Sequence, residues 1–212
     1  MKNEELDSIL DEIKGLQSEF LKVGKEITLA YNKSMYPLDL LVIAVLNRAF
    51  KVSDAFISLV NERNYISAVP LVRLHLDNYL RFFASTLVSE PHEFALKVFS
   101  GEQVNRMTDR ENKKMYDSYL CQKCSEIYPW IETVYKNLSG FIHLSEKHFH
   151  HAIKADEGAE DRMLNMTIGG EDQTPIELYI EISGCFKEIS KIIISIMKRW
   201  CTVKDNPALA TN

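Results

Sequence analysis

The sequence predicts an all-α protein, a helical bundle of six or seven helices with long first and last helices. Hydrophobic residues make up 46% of the 212 residues, which supplies a substantial core for one domain. The chain has only 8 glycines and 6 prolines, fewer than turn-rich β architectures require. Apolar residues also recur at alternating intervals of three and four near both ends of the chain, which is typical of helices that pack along their whole length.

We expect a single all-helical domain over residues 1–212, with a core over 3–204, an acidic loop over 155–173 and a flexible tail over 205–212. The formal net charge is −5, and residues 155–177 contain seven acids and one base. The net negative charge is therefore concentrated in this segment and does not exclude a phosphate-binding face elsewhere on the protein. No apolar run approaches the roughly 18 residues of a membrane span, and the first ten residues lack the pattern of a signal peptide. These features favour a cytoplasmic protein with no membrane partner.

The first helix is predicted from Leu6 to the residues before Pro37, which ends or kinks it. Its apolar residues form the a/d seam of a heptad repeat, at Leu6, Ile9, Ile13, Leu16, Phe20, Val23, Ile27 and Ala30. The positions before each a residue are acidic, at Glu5, Glu12, Glu19 and Glu26, and the e positions hold no base. A parallel self-paired coiled coil would lack its interchain salt bridges. We therefore favour a bundle helix whose acidic edge is solvated or faces bases elsewhere in the fold.

The next two helices are predicted to form an antiparallel hairpin. One spans residues 38–63, and the other spans 67–88 and tolerates Pro70 in its first turn. A connection this short places consecutive helices side by side. A short helix over 92–99 is expected to follow.

A capping box of Thr108 and Glu111 predicts a helix that runs to about Ile127. The following helix is expected to begin near Pro129 and to extend to about Leu144. Both predictions place the middle of the chain in helices.

The last long helix is predicted after the acidic loop, which contains a short extended piece over 163–168. A second capping box, Thr174 with Glu177, opens this helix and places Pro175 at its first position. Its seam repeats the spacing of the first helix, with apolar residues at Tyr179, Ile182, Phe186, Ile189, Ile193, Ile196 and Trp200. Such a seam can pack along a neighbouring helix over its whole length.

Three charged residues of the third helix, Arg73, Asp77 and Arg81, are spaced by four and therefore line one stripe. The other faces of this helix are mainly apolar, so these charges need partners. One interpretation is a structural ladder of ion pairs at the edge of the core. The other is an arginine and a carboxylate held at a cleft for anion binding or proton transfer.

A second polar feature combines Lys136, Ser139 and His143. Seven helical residues make nearly two turns, so the lysine and histidine side chains are expected on one face with the serine between them. An imidazole serves as an acid or base near neutral pH, and an ammonium group can hold a phosphate. A surface lysine beside a half-buried histidine is the simpler alternative.

These motifs resemble the HEPN superfamily, all-helical bacterial proteins common in toxin-antitoxin and phage-defence loci. Residues 71–77 and 135–143 more closely resemble an uncharacterised bacterial all-helical family, and the resemblance covers roughly residues 38–152. HEPN ribonucleases have an arginine where this chain has Lys136, followed by a polar residue, here Asn137, and a final histidine, here His143.

The resemblance implies metal-independent RNA cleavage at a site composed by two protomers. His143 would act as acid and base, and Lys136 would neutralise the phosphate. Lysine is not equivalent to arginine at such a site, and Arg73 is a candidate for the missing guanidinium.

Cys121 and Cys124 have the spacing of half a zinc site, and His143, His148, His150 and His151 follow. No second ligand pair stands at a familiar spacing, and small apolar residues often pack at such positions in a helix. We therefore expect no metal site and no cofactor, and we expect the four cysteines to be reduced.

Two functions remain open. The first is a non-catalytic binding or regulatory protein, in which a cluster of Arg73, Asp77 and His143 stabilises the bundle or receives a ligand. The second is a HEPN-like ribonuclease of bacterial defence or toxicity. In both cases we expect a homodimer, with RNA or another protein as the partner, and in both cases Arg81, Asn137 and Ser139 are candidate binding residues.

Overall fold

The computed structural model describes residues 3–142, 145–146, 148–149, 153–155, 164–166, 168–169 and 173–206. Within them lie seven α-helices: α1 Glu4–Lys33, α2 Pro37–Asn61, α3 Tyr65–Ala84, α4 Pro91–Phe99, α5 Asp117–Ser125, α6 Trp130–Ser139 and α7 Ile176–Asp205. A short 3₁₀ helix, Val104–Arg106, and two strands, β1 Ile153–Ala155 and β2 Leu164–Met166, complete the described elements. The predicted all-α bundle with long first and last helices is confirmed.

The two long helices, α1 and α7, pack against each other. Most residues of the two seams are buried. The acidic edge of α1 faces lysines of α7: Lys187 lies 3.1 Å from Glu12, and Lys198 lies 3.1 Å from Glu19. The prediction that α1 is a bundle helix is confirmed, and of the two alternatives for its acidic edge, solvated or facing bases, the second applies to Glu12 and Glu19. Since each seam covers the other within one chain, these seams no longer argue for the homodimer, which stays a prediction.

The hairpin of α2 and α3 forms the other half of the core. Arg63 adopts a positive φ of 57° in the connection, and the Asn64 side chain accepts a hydrogen bond from Ser67 N, which caps α3. Phe56 of α2 stacks on Phe186 of α7 with ring centroids 4.2 Å apart. The hairpin therefore packs directly on α7.

The end of α1 differs from the prediction that Pro37 ends or kinks it. Helical geometry stops at Ala30, and Tyr31, Asn32 and Lys33 have positive φ angles of 47°, 56° and 62°. Pro37 is instead the first residue of α2. Left-handed conformations are unfavourable for such residues, so contacts with other elements must maintain this segment.

A buried ion pair lies where α1, α2 and α7 meet. Lys204 Nζ is 2.8 Å from Asp39 Oδ2 and donates to the carbonyl oxygen of Ile27 at 2.6 Å. The Asp39 carboxylate also accepts from Trp200 Nε1 and from Tyr36 N, both at 2.8 Å. Both charged side chains have no exposed surface. This pair fixes the last turn of α7 against the end of α1.

The described part of α7 extends through Asp205, whose carboxylate accepts from Tyr31 N at 2.6 Å. The predicted tail over 205–212 therefore begins too early, and residues 207–212 lie outside the described residues. At its other end α7 has Pro175 as its N-cap residue, where Thr174 was predicted.

The predicted capping box of Thr108 and Glu111 is wrong. The Asp109 carboxylate accepts from Glu111 N and Lys113 N, both at 2.9 Å, and Thr108 pairs with Lys114 across a β-bridge. These bonds form a tight turn because a short acidic side chain competes for the same amides as a helix. The helix begins only at Asp117.

The acidic loop is described only in part. Residues 164–166, inside the predicted extended piece, pair antiparallel with 153–155, with Ile153 opposite Met166. All six acids of this loop lie outside the described residues. None of the described helices has the length and apolar character needed to cross a membrane.

Candidate functional site

Five charged side chains from three helices form one continuous row, which we call the arginine cluster: Arg48 of α2, Arg73, Asp77 and Arg81 of α3, and Asp117 of α5. Asp77 lies between Arg48 at 2.8 Å and Arg81 at 2.7 Å. Asp117 lies between Arg81 at 2.6 Å and Arg73 at 2.9 Å. The charges thus alternate along the row, with an arginine at each end.

Local structure explains how the row assembles. The spacing of four places the three α3 residues on one stripe, as predicted. Asp117 is the first residue of α5, where the helix dipole favours a carboxylate. Burial alone would lower the pKa of Arg81, but the charges of Asp77 and Asp117 and their hydrogen bonds together raise it. Arg81 therefore stays charged between its two carboxylates.

The two ends of the row differ in exposure. The Arg73 side chain is 12% exposed, and its Cζ atom lies 4.2 Å from the ring centroid of Tyr135 on α6, a cation–π contact. The Arg48 side chain is 41% exposed. Three guanidinium groups against two carboxylates leave a net charge of +1, and the open end of the row presents it to solvent.

Toward the described residues, Arg48 donates through one nitrogen atom. Nη1 donates to Asp77 Oδ2 at 2.8 Å and to Asn78 Oδ1 at 2.9 Å. In the described part of the chain, Nε and Nη2 donate to no protein group. These two atoms form one edge of the planar guanidinium, which can bind the two oxygen atoms of a carboxylate or phosphate.

A buried polar row continues from Arg48 into the core. Asn78 Nδ2 lies 3.5 Å from His75 Nδ1, and His75 Nε2 lies 2.8 Å from Ser190 Oγ of α7. All three side chains are fully buried, and the His75 ring stacks on Phe186 at 4.0 Å. Burial, with a further contribution from the Arg48 charge, lowers the pKa of His75 to about 3. The imidazole is therefore neutral at physiological pH.

Two predicted residues of α6, Lys136 and Ser139, bond to residues of their own helix. Lys136 is 69% exposed and pairs with Glu132 at 2.7 Å on the same helix. Ser139 Oγ donates to the Tyr135 carbonyl oxygen at 2.7 Å, and Asn137 is exposed. The helix ends at Ser139 and not near Leu144 as predicted, and His143 lies outside the described residues. Of the four candidate catalytic residues, the structure brings together Arg73 and Asp77.

Sequence reasoning missed Arg48 and Asp117 because both lie on helices other than α3. Arg48 is 29 residues from Asp77 in the chain, and Asp117 is 36 residues from Arg81. It also missed the buried row of His75, Asn78 and Ser190. Two signals could have found part of this set: an arginine in the mainly apolar helix α2, and an aspartate at a helix start.

The two cysteines with the spacing of half a zinc site, for which no metal was expected, are packed in the core. Cys121 and Cys124 are buried, and burial raises the pKa of the Cys121 thiol to about 12 and raises that of Cys124 as well. Among the described residues, no group of three or more histidines, cysteines and acids could hold a metal ion. His143, His150 and His151 are outside that part of the chain, and His148 Nδ1 accepts from Ser145 N at 3.2 Å.

Comparison with protein-family models, with curated proteins and with solved structures gives no match for this chain. The fold and the site together define its class: an all-α helical bundle with a row of alternating charges whose more exposed end is an arginine.

Proposed function

We propose that this chain is a non-catalytic binding protein and that the arginine cluster receives an anionic group of its ligand. The observation that carries the proposal is the free edge of Arg48, at the exposed end of a row with one more guanidinium than carboxylate. A bound oxyanion would complete the alternation of charges without breaking any ion pair of the row.

Binding fits this arrangement better than acid-base catalysis. Guanidinium groups stay protonated in proteins, so the arginines do not transfer protons. His75 is linked to the cluster through Asn78, and its imidazole is fully buried and neutral. The arginines can therefore hold an anion, and the imidazole beside them stays out of reach of a ligand.

The test is titration of the purified protein with inorganic phosphate, followed by NMR. We expect Arg48→Gln to weaken phosphate binding at least fivefold, since it removes a charge-assisted contact. Lys97→Gln is the matched control: it removes one positive charge from α4, where Lys97 pairs with Glu93. Equal effects of the two variants, or no binding to the wild type, would refute the proposal.

A third variant changes the cluster in the opposite direction. Asp117→Asn raises the net charge of the row from +1 to +2, so we expect tighter phosphate binding even though Arg73 and Arg81 lose their shared carboxylate. Unchanged or weaker binding in this variant would contradict the expectation that the excess positive charge of the row attracts the anion.

The ribonuclease implied by the HEPN resemblance is the competing function, and it makes a different prediction. If it is correct, purified protein cleaves RNA without added metal, and His143→Ala abolishes cleavage without loss of fold. Such cleavage would overturn the non-catalytic proposal, whereas intact RNA together with phosphate binding at Arg48 would support it.

A further inference from the structure

The buried row behind Arg48 has a fixed hydrogen-bond direction, which follows from the donors available at its two ends. A guanidinium only donates, so the Asn78 atom that faces Arg48 at 2.9 Å is the oxygen Oδ1. The amide nitrogen of Asn78 then faces His75 Nδ1 at 3.5 Å. Because that nitrogen donates, Nδ1 of the imidazole must accept.

The other end of the row imposes the same direction. Ser190 Oγ donates its single proton to the Phe186 carbonyl oxygen at 3.0 Å. It must therefore accept from His75 Nε2, which lies 2.8 Å away. A neutral imidazole with its proton on Nε2 satisfies both neighbours. The other tautomer would set a second donor against the Asn78 amide and would take the Ser190 proton away from the Phe186 carbonyl oxygen.

We infer that Asn78 is the positioning residue of the anion site, and that His75, held by Ser190 as its Nε2–H tautomer, fixes the Asn78 amide. Asn78 and Asp77 together take both protons of Arg48 Nη1. The guanidinium can then turn only its Nε and Nη2 edge toward a ligand. The inference rests on the proposed function and narrows the ligand to an oxyanion that accepts two parallel hydrogen bonds, such as a carboxylate or a phosphate group.

The inference is tested first on the unliganded wild-type protein. The nitrogen NMR spectrum of the His75 ring should show a proton on Nε2 and an unprotonated Nδ1. A proton on Nδ1 would overturn the inference, since Asn78 could not donate to it. This measurement requires no variant and does not depend on phosphate binding.

The second test replaces Asn78 by leucine. Asn47→Leu is the control, because Asn47 is an exposed residue of α2 that directly precedes Arg48 in the chain. In Asn78→Leu we expect rotation of the Arg48 Nη1 group to become at least fivefold faster, and the ratio of phosphate to chloride affinity to fall at least fivefold. Asn47→Leu should change neither quantity. A purely structural role of Asn78 would lower stability without changing the preference for phosphate over chloride.

The outcomes separate the two proposals. If Asn78→Leu leaves the Arg48 rotation and the phosphate preference unchanged, the positioning role is wrong and the anion site stands. If the wild type binds no phosphate, the proposed function is wrong, and so is the inference that the ligand carries an oxyanion that accepts two parallel hydrogen bonds. Should Asn78→Leu not fold, Asn78→Asp replaces it: this variant keeps the acceptor for Arg48 but cannot donate to His75, so we expect the His75 proton to leave Nε2 in part of the molecules.

Discussion

The buried pair of Asp39 and Lys204 gives the sharpest stability prediction. Lys204→Met keeps most of the side-chain volume but removes the ammonium group. The Asp39 carboxylate then stays buried with two neutral donors and no opposite charge, and the Ile27 carbonyl loses its partner. Breaking one side of a fully buried pair costs about 3–5 kcal/mol.

This cost is large against the roughly 5–15 kcal/mol by which native proteins are stable. For a chain of this length it should lower the midpoint of thermal unfolding by roughly 10 °C. Urea unfolding followed by circular dichroism measures the free energy directly. The matched control is Lys198→Met, which removes an exposed lysine of the same helix, paired with Glu19, and should leave the midpoint nearly unchanged.

A double variant shows whether the cost comes from the unpaired charge. Asp39→Asn combined with Lys204→Met removes both charges and keeps an oxygen that accepts from Trp200 or Tyr36. We expect the double variant to lose less unfolding free energy than the two single variants lose together, by about 1–3 kcal/mol. If Lys204→Met alone costs less than about 1 kcal/mol, water reaches Asp39 and the pair does not fix the end of α7.

Three further predictions concern other parts of the molecule. Because the pKa of His75 is lowered from 6.5 to about 3 by burial and by Arg48, the unfolded chain binds one more proton between these values, and stability is lost as the pH falls through this window. The loss should be about 1.4 kcal/mol for each pH unit well below 6.5, and it should be absent in His75→Gln when both proteins are unfolded with urea between pH 7 and pH 5. Gly24→Ala should raise stability by about 0.5–1 kcal/mol, since the added Cβ meets Ile43 and Leu46 at 3.7 Å in ordinary contact and alanine favours the helix; a lower midpoint would mean that α1 and α2 are packed more closely than described. The homodimer predicts a mass near twice 24.4 kDa by light scattering, and a monomer at high concentration would exclude it.

The apolar periodicity of the sequence predicted those helices whose pattern is visible within a single segment of the chain. The seams of α1 and α7 follow from spacings of three and four, and the acidic edge of α1 predicted its lysine partners without naming them. The capping box at Thr108 failed for a local reason: Asp109, one residue later, binds the same amides. The sequence pattern alone does not decide which of two adjacent side chains accepts the hydrogen bonds of the following backbone N–H groups.

The site could be predicted only where one helix carries it. Arg73, Asp77 and Arg81 were found from their spacing, because residues four apart share a face of the helix. Arg48 and Asp117 join them through the packing of α2 and α5 on α3, and no feature of the α3 sequence encodes those partners. His75 and Asn78 alternate with apolar residues on the buried side, where a sequence pattern does not distinguish a buried polar row from an ordinary core.

The structural ladder and the anion site, which the sequence left as alternatives, are compatible in this arrangement. Each carboxylate of the row already lies between two guanidinium groups, so the ladder is complete without a ligand. The charge in excess belongs to a terminal arginine. One terminus, Arg73, is covered by Tyr135, and the other, Arg48, is open and is held from behind by a neutral buried row. The ladder therefore holds the guanidinium of Arg48 in one orientation before an anion binds. Because two acceptors already fix this group, it loses little further conformational freedom on binding.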